Sequence, residues 1–363
     1  MPLKTTAGDH GQAVKGRGAT INIEGRFEIW NREADDDGWF QDPGDEPARV
    51  KTVISIEHAK SVISRHNSPD LGFSQSINPY RGCAHGCPFC YARPSHAYLG
   101  LSPGLDFETR LTAKVNAAQK LREELAKPGY RCEPLAIGVN TDAYQPIERQ
   151  QRITRSILEV VHETSHPVSL ITKSALIERD LDLLAPMAKK HLVAVTLSIT
   201  TLDHEISRRM EPRTSAPARR LEAIRRLTAA GIPVNVNVAP VIPFLTDSEL
   251  EPIMEAAAKA GAVSAGYALV RLPWEVRPIF KEWLEKHFPL KAEHVMSRIR
   301  DMREGRENDP EFGTRMVGKG TLAELLSQRF RKAVQRFGLD RDVHDLDCSL
   351  FLPPSLNGQQ SLF

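Results

Sequence analysis

The chain has 363 residues, of which 41% are hydrophobic and 26% are charged, a composition that excludes a wholly disordered or fibrous protein. No apolar run approaches the roughly 18 residues that a membrane-spanning helix needs. Residues 1–20 lack the apolar core of a secretion signal, so we expect a cytoplasmic protein without a membrane segment. The formal net charge is only +2, so overall charge does not by itself indicate a nucleic-acid-binding protein.

The first part of the chain, residues 1–70, reads as an irregular N-terminal extension, and we expect residues 1–15 to be disordered. Residues 71–280 then alternate between β-rich and amphipathic segments, which predicts parallel strands joined by right-handed helical crossovers. Residues 281–349 read as a helical C-terminal region, and residues 350–363 as an exposed tail. The predicted strands lie at 76–80, 135–139, 168–172, 193–199, 234–239 and 266–270.

Six strand–helix units are too few for a closed eight-stranded barrel. We therefore predict an α/β fold built on a partial (β/α)6 barrel. The tetrapeptide TDSE at 246–249 predicts a capping box, in which Glu249 reaches back to the start of a helix. Two arginine-rich stretches, 208–226 and 329–336, could contact phosphates, although for either stretch alone we favour a solvated helix face.

Three of the five cysteines lie within eight residues, at Cys83, Cys87 and Cys90, whereas Cys132 and Cys348 are isolated. An odd count without a signal peptide argues against a disulfide framework. Three thiolates on one loop can hold three irons of a cubane cluster and leave the fourth iron open to an exogenous ligand. The alternative is a structural zinc ion with a nearby histidine as fourth ligand, which we disfavour because a paired second knuckle is lacking.

The loop reads NPYRGCAHGCPFCYARPSH at 78–96, and TDAYQPIER at 141–149, TKSALIERD at 172–180, SITT at 198–201 and RRMEPR at 208–213 follow in order. These segments resemble the radical-SAM superfamily, in the branch related to spore photoproduct lyase. The resemblance implies a [4Fe–4S] cluster that binds S-adenosylmethionine (SAM) and cleaves it reductively. The products are methionine and a 5′-deoxyadenosyl radical, which abstracts hydrogen from a substrate. An electron donor of the flavodoxin or ferredoxin type is implied as well.

Polar side chains follow several predicted strands, and the resemblance implies that they bind SAM at the mouth of the barrel. Phe89, directly before the third cysteine, should contact the adenine. Asp142 should accept from the SAM ammonium group, and Lys173 should meet the SAM carboxylate as a point charge. A simpler alternative is that such residues only cap the next helix. The full predicted set is Phe89, Asn140, Thr141, Asp142, Lys173, Ser198, Thr200 and Arg209.

Ser198 and Thr200 end the fourth strand and should bind ribose hydroxyls or the methionine end of SAM. Arg209 follows in a polar loop, where it could instead form a surface ion pair of little energy. In the fifth strand, Asn235 and Asn237 alternate with valines and so face the same side. We expect both asparagines to face the barrel interior, because unpaired amides packed against helices are costly.

The related lyase repairs a thymine photolesion and needs a cysteine hydrogen donor near the radical. Cys132 precedes the second strand, at the end of the barrel away from the cluster, whereas Cys348 could fold over the mouth with the C-terminal segment. We favour an ordinary structural role for both. The sequence therefore supports the lyase scaffold and not the repair reaction itself.

The chain ends QQSLF, Gln359–Phe363, which resembles the motif by which bacterial repair and replication proteins bind the DNA polymerase sliding clamp. Clamp binding would place the enzyme at DNA, and the alternative is that Leu362 and Phe363 pack on the protein's own core. A different class also stays open, namely an Fe–S electron carrier or a cluster-bearing nucleic-acid-binding protein without SAM chemistry. A plain carrier normally has a fourth cysteine nearby, and none occurs between Cys90 and Cys132.

Overall fold

The computed structural model describes residues 16–27, 50–343 and 345–355. The expected disorder of residues 1–15 and the clamp motif at 359–363 lie outside these ranges. The strands of the described part are β1 (Val53–Glu57), β2 (Ile63–Arg65), β3 (Gln75–Ile77), β4 (Tyr80–Arg81), β5 (Arg110–Lys114), β6 (Leu135–Ile137), β7 (Val168–Thr172), β8 (Val193–Ser198), β9 (Val234–Val241) and β10 (Ser264–Leu269).

The helices of the same ranges lie between these strands and after the last of them. They are α1 (Asp106–Thr109), α2 (Ala117–Leu125), α3 (Glu148–Gln151), α4 (Ile153–Glu163), α5 (Leu181–Ala188), α6 (His204–Met210), α7 (Pro217–Ala229), α8 (Leu250–Lys259), α9 (Val276–His287), α10 (Ala292–Asp301) and α11 (Thr321–Phe337). Within the described part of the chain, none of them has the length and apolar character that crossing a membrane requires.

Seven strands form the main sheet in the order β10-β9-β8-β7-β6-β3-β2. The six strands from β3 to β10 in this order are parallel, and β2 pairs with β3 in the antiparallel sense at one edge. In the described residues β10 pairs with neither β2 nor β3, so the sheet is not a closed barrel. The α/β prediction with six parallel strands is confirmed. A small second sheet, β1-β5-β4, places part of the N-terminal extension beside the main sheet.

The two faces of the main sheet differ in polarity. Valines and leucines on one face are fully buried in the core that the flanking helices complete. Strand residues that are partners in register point to the same face, so the other face carries small and polar side chains. Two such rows are Thr196–Asn235–Ser264 and Ser198–Asn237–Gly266. Asn235 and Asn237 therefore face away from the helix-packed core, and Asn235 donates to Thr196 Oγ1 at 3.3 Å.

The segment 308–318 lies across the open side of the sheet. Leu269, the last residue of β10, donates its N–H to Met316 O at 2.8 Å. From the same segment, Arg315 forms an ion pair of 2.5 Å with Asp70, which belongs to the loop before β3. The segment therefore contacts both β10 and the loop before β3, and it covers the open side of the half-barrel.

The C-terminal segment after α11 crosses the amino ends of the strands. Arg341 N donates to Val263 O at 3.1 Å, Asp347 N to His191 O at 2.9 Å and Leu352 N to Thr164 O at 2.9 Å. The three acceptors precede β10, β8 and β7 respectively. This segment thus covers the base of the half-barrel, and the opposite, carboxyl edge of the strands forms its mouth.

Candidate active site

The three-cysteine loop follows β3 and β4 at the mouth and is fixed by backbone hydrogen bonds. Cys83 N donates to Phe107 O at 2.9 Å, and Cys90 N donates to Cys87 O at 3.2 Å. The Gln145 side chain accepts from Ala84 N at 2.8 Å and donates to Gly82 O at 3.1 Å. Gln145 is fully buried, so the segment that follows β6 holds the start of the cysteine loop in place.

A fully buried arginine holds the other half of the loop. Arg93 Nε donates to Cys87 O at 2.8 Å, and one terminal nitrogen donates to Gly86 O at 3.0 Å and to the Glu108 carboxylate at 2.8 Å. Its other terminal nitrogen donates to Gly104 O at 2.7 Å. Both the arginine and glutamate side chains have 0% exposure, so the charge of each depends on the other. The planar fork of Arg93 therefore fixes two carbonyls of the cysteine loop at once.

Residues 16–27, which we name the N-terminal strap, pack against this arrangement. Gly18 N and Ala19 N donate to the two Glu108 oxygens at 3.0 and 2.9 Å. A Cβ on Gly18 would lie 1.6 Å from Gly86 O, so only glycine allows this approach. Gly86 itself has a φ of +73°, and a Cβ there would lie 2.3 Å from Glu108 Oε2. The strap and the cysteine loop are thus built against one another.

The thiols of the loop suit a cluster better than a single ion. Cys83 and Cys87 are buried and Cys90 is half-buried. Burial raises the pKa of the Cys87 thiol well above its usual value and that of Cys90 to about 11, so these thiols need a cation to ionise. In the described ranges no three His, Cys, Asp or Glu side chains are grouped so that they could hold one metal ion. Thiolates that bind separate irons need not converge on one point, so the three thiols fit the ligands of a cluster.

Asp142 joins the ends of two neighbouring strands beneath the mouth. Its carboxylate accepts from Thr172 Oγ1 at 2.7 Å, from Lys173 N at 2.7 Å and from Tyr144 N at 2.8 Å. His85 Nδ1 lies 3.4 Å away. Burial opposes the charge of this pair, yet Asp142 and Cys83 raise the pKa of His85 to about 10, and the pKa of Asp142 is lowered. These hydrogen bonds fix the loop that follows β6 to the end of β7.

The two residues before Asp142 take different places. Asn140 is exposed, and its backbone N–H donates to Asn78 Oδ1 at 2.8 Å. Thr141 is buried and donates its hydroxyl to Tyr80 O at 3.3 Å. Of the two, Asn140 leaves its side chain at the surface of the mouth.

Lys173 and Thr200 are brought together with a glutamate that follows β8. Lys173 Nζ donates to Thr200 Oγ1 at 2.8 Å and forms a 2.7 Å ion pair with Glu211. Arg220, which is fully buried, contacts the same carboxylate at 2.5 Å. Burial opposes ionisation of Glu211, but Arg220 and Lys173 lower its pKa to about 2. The Phe89 ring centroid lies 5.8 Å from Lys173 Nζ, so this ammonium group adjoins the cysteine loop.

The structure separates Arg209 from this group. Arg209 is exposed on α6, where it donates to His287 O at 3.4 Å and lies 5.6 Å from the Phe288 ring centroid. Ser198 faces the polar side of the sheet, and its carbonyl accepts from Arg220 at 2.9 Å. Of the predicted SAM contacts, Phe89, Lys173 and Thr200 therefore lie together, whereas Arg209 does not contact them in the described part of the chain.

Cys132 and Cys348 lie at the base, away from the cysteine loop. Cys132 precedes β6, and Cys348 follows Asp347, whose N–H donates to the carbonyl of His191, two residues before β8. The two thiols are neighbours. Burial, and to a lesser extent the nearby Cys348 thiol, raise the pKa of Cys132 to about 12. The suggestion that Cys348 folds over the mouth is wrong, because the C-terminal segment covers the opposite end of the strands.

Sequence reasoning did not single out Arg93, Glu108 or Gln145. The position of Arg93, three residues after Cys90, is a weak sign in the sequence that it supports the loop. Glu108 and Gln145 carry no such sign, because only the fold brings their partners close.

Comparison with known proteins places this site in a family. Residues 77–257 match the Radical SAM superfamily. An uncharacterised protein of Mycobacterium tuberculosis is 36% identical over 279 residues, which cover 76% of this chain and 78% of that protein. An uncharacterised protein of Methanocaldococcus jannaschii is 26% identical over 246 residues, covering 68% of this chain and 87% of that protein.

Solved structures agree on the fold. Spore photoproduct lyase has a TM-score of 0.58 at 16% identity, covering 84% of this chain and 87% of that chain. The same lyase complexed with a dinucleoside spore photoproduct has a TM-score of 0.56 at 16% identity, covering 78% and 79%. The family match over residues 77–257, together with the three-cysteine loop at the mouth of a half-barrel, shows that the chain belongs to the radical SAM superfamily of enzymes.

Proposed function

We propose that Cys83, Cys87 and Cys90 hold a [4Fe–4S] cluster at which SAM is cleaved reductively. The observation that carries this proposal is the position of the three thiols, on one rigidly held loop beside Lys173 and Phe89. When bound and reduced, the cluster supplies the electron that breaks the C5′–S bond of SAM. A flavodoxin or a ferredoxin is the proposed electron donor.

The chain's own residues have defined tasks in this proposal. Lys173 binds the SAM carboxylate, and Phe89 contacts the adenine ring. Glu211 and Thr200 hold the ammonium group of Lys173 in place through contacts of 2.7 and 2.8 Å. The remaining contacts proposed for SAM are Asn140, Thr141, Asp142, Ser198 and Arg209. Of these, Arg209 lies on α6, apart from Lys173 and Thr200.

The proposed substrate is DNA or another nucleic acid, by analogy with the lyase whose fold the chain shares. The basic stretch at 208–226 supports this only weakly. Arg219 and Arg226 pair with Glu178, and Arg225 pairs with Glu222, as expected of solvated helix faces. Since both isolated cysteines lie at the base, we propose a radical reaction that does not use them as hydrogen donors.

We further propose that Gln359–Phe363 binds the sliding clamp. The motif itself lies outside the described residues, and Leu352, seven residues before Gln359, donates its N–H to Thr164 O at the base. Titration of a labelled peptide ending QQSLF with the clamp should show binding at tens of micromolar or tighter. The control peptide has alanine at Leu362 and Phe363, and equal binding of both peptides would remove this partner.

Iron analysis tests the cluster proposal. After anaerobic reconstitution we expect about four irons per chain, as a cubane cluster requires. Replacing Cys83, Cys87 or Cys90 by Ala should abolish the brown chromophore, whereas the matched controls Cys132→Ala and Cys348→Ala should keep it. A normal cluster in the triple variant would overturn the assignment of ligands.

A further inference from the structure

An arginine from the last strand spans the mouth. Arg271 lies two residues beyond β10, and its guanidinium carbon lies 5.6 Å from the Tyr91 ring centroid. Tyr91 directly follows Cys90, and its hydroxyl donates to Val139 O just beyond β6. Arg271 and Tyr91 thus bridge the chain just after β10 and the cysteine loop at the mouth of the half-barrel.

Arg271 differs from Lys173 and Arg220 in having no carboxylate partner among the described residues. Lys173 and Arg220 both form ion pairs with Glu211. Among the described residues no carboxylate oxygen lies within 4.0 Å of Arg271; one terminal nitrogen contacts only Met316 Sδ at 3.8 Å. Its Nε is buried and has no hydrogen-bond partner within the part of the chain that the structure describes.

The nearest carboxylates are engaged elsewhere. Asp70 pairs with Arg315 at 2.5 Å and accepts from Gly313 N at 2.6 Å. Asp309 accepts from Thr314 Oγ1 at 2.7 Å and from Glu311 N at 2.9 Å. Arg315, which is paired with Asp70, supplies no acceptor to Arg271. Burial, and then Arg315, lower the pKa of Arg271, whereas Tyr91, Asp70 and Asp309 raise it.

A half-buried guanidinium without an acceptor costs free energy, and an oxyanion that offers two acceptors removes that cost. We propose that Arg271 binds a phosphodiester of a nucleic-acid substrate at the mouth. Tyr91 favours a nucleic acid over a peptide carboxylate, because its 44% exposed ring offers a stacking surface beside the guanidinium. This inference rests on the proposed function and names the residue that would position its substrate.

The test uses cluster-loaded protein with SAM and oligothymidylate as the probe, titrated at several salt concentrations. Arg271→Gln should weaken binding about tenfold and make the slope of log K against log salt about 0.7 shallower, as expected for one lost phosphate contact to a single strand. Arg271→Lys should bind with an affinity between those of the wild type and Arg271→Gln, since lysine keeps the charge but cannot donate two parallel hydrogen bonds as a guanidinium does. The matched control is Arg131→Gln, an exposed arginine before β6 at the base, which should change neither quantity.

Four results would overturn the proposal. Equal effects of the Arg271 and Arg131 substitutions would show that only bulk charge matters. A fall in SAM affinity in Arg271→Gln would make this residue a SAM ligand. Loss of binding to an acidic peptide, with oligothymidylate binding unchanged, would indicate a protein substrate. If the wild-type protein cleaves SAM but binds no oligonucleotide, this inference fails while the proposed radical chemistry stands.

Discussion

Replacing Glu108 by Gln removes one charge from the buried pair beneath the cysteine loop and keeps the side chain's shape. Glu108 accepts from Arg93 at 2.8 Å, and from Gly18 N and Ala19 N at 3.0 and 2.9 Å. The amide oxygen of glutamine can still accept the hydrogen bonds of one carboxylate oxygen. Its NH2 group, which replaces the other oxygen, then faces hydrogen-bond donors. Arg93 is then left charged at 0% exposure without a counterion.

Removing one partner of a buried ion pair costs about 3–5 kcal/mol. We expect Glu108→Gln to lower the free energy of unfolding by about this amount, measured by urea titration of the cluster-free protein. The control is Glu163→Gln, because Glu163 pairs with Arg122 at 2.6 Å but is 54% exposed. That surface pair should be worth less than about 1 kcal/mol.

Iron retention should follow stability, because the same pair fixes the cysteine loop. We expect reconstituted Glu108→Gln to lose iron to a chelator faster than the wild type, and Arg93→Lys to do the same. If Glu108→Gln unfolds within about 1 kcal/mol of the wild type and keeps its iron equally well, the buried pair does not support the loop.

Two further predictions concern the SAM site and the base. Lys173→Ala should keep the cluster but weaken SAM binding tenfold or more in equilibrium titrations, while Lys189→Ala, an exposed control, should not; unchanged affinity would show that the pocket is mis-assigned. Burial lowers the pKa of His166 to about 4, while its Nε2 accepts from Tyr130 at 2.8 Å. Because the unfolded chain binds the proton more readily, stability should fall by up to about 3 kcal/mol as the pH drops from 6.5 towards 4. His166→Gln should remove this part of the pH dependence, and an unaltered profile would contradict it.

The regular part of the fold could be predicted from local pattern. Strand β7 spans Val168–Thr172, as its apolar run predicts, because buried parallel strands are continuous in β-branched residues. The cysteine loop was also evident, since three cysteines within eight residues indicate a metal site. The period-two pattern of Asn235 and Asn237 correctly placed both on the face away from the helices.

Contacts between distant segments could not be predicted in this way. TDSE predicts a local capping box, which does not form; Glu249 instead accepts from Thr201 Oγ1 at 2.5 Å and from Leu202 N at 2.6 Å. The tertiary partner replaces the local one because it offers two donors. Arg93 and Glu108 are likewise joined by the fold and not by any helical or strand period.

Formation of 5′-deoxyadenosine tests the central claim most directly. The anaerobically reconstituted protein, reduced with dithionite and supplied with SAM, should form 5′-deoxyadenosine and methionine in equal amounts when no substrate is present. The Cys83→Ala variant, treated identically, should form neither. If the wild-type protein holds a reducible cluster yet yields no 5′-deoxyadenosine, the chain is an electron carrier or a cluster-bearing binding protein, and the proposed SAM chemistry is contradicted.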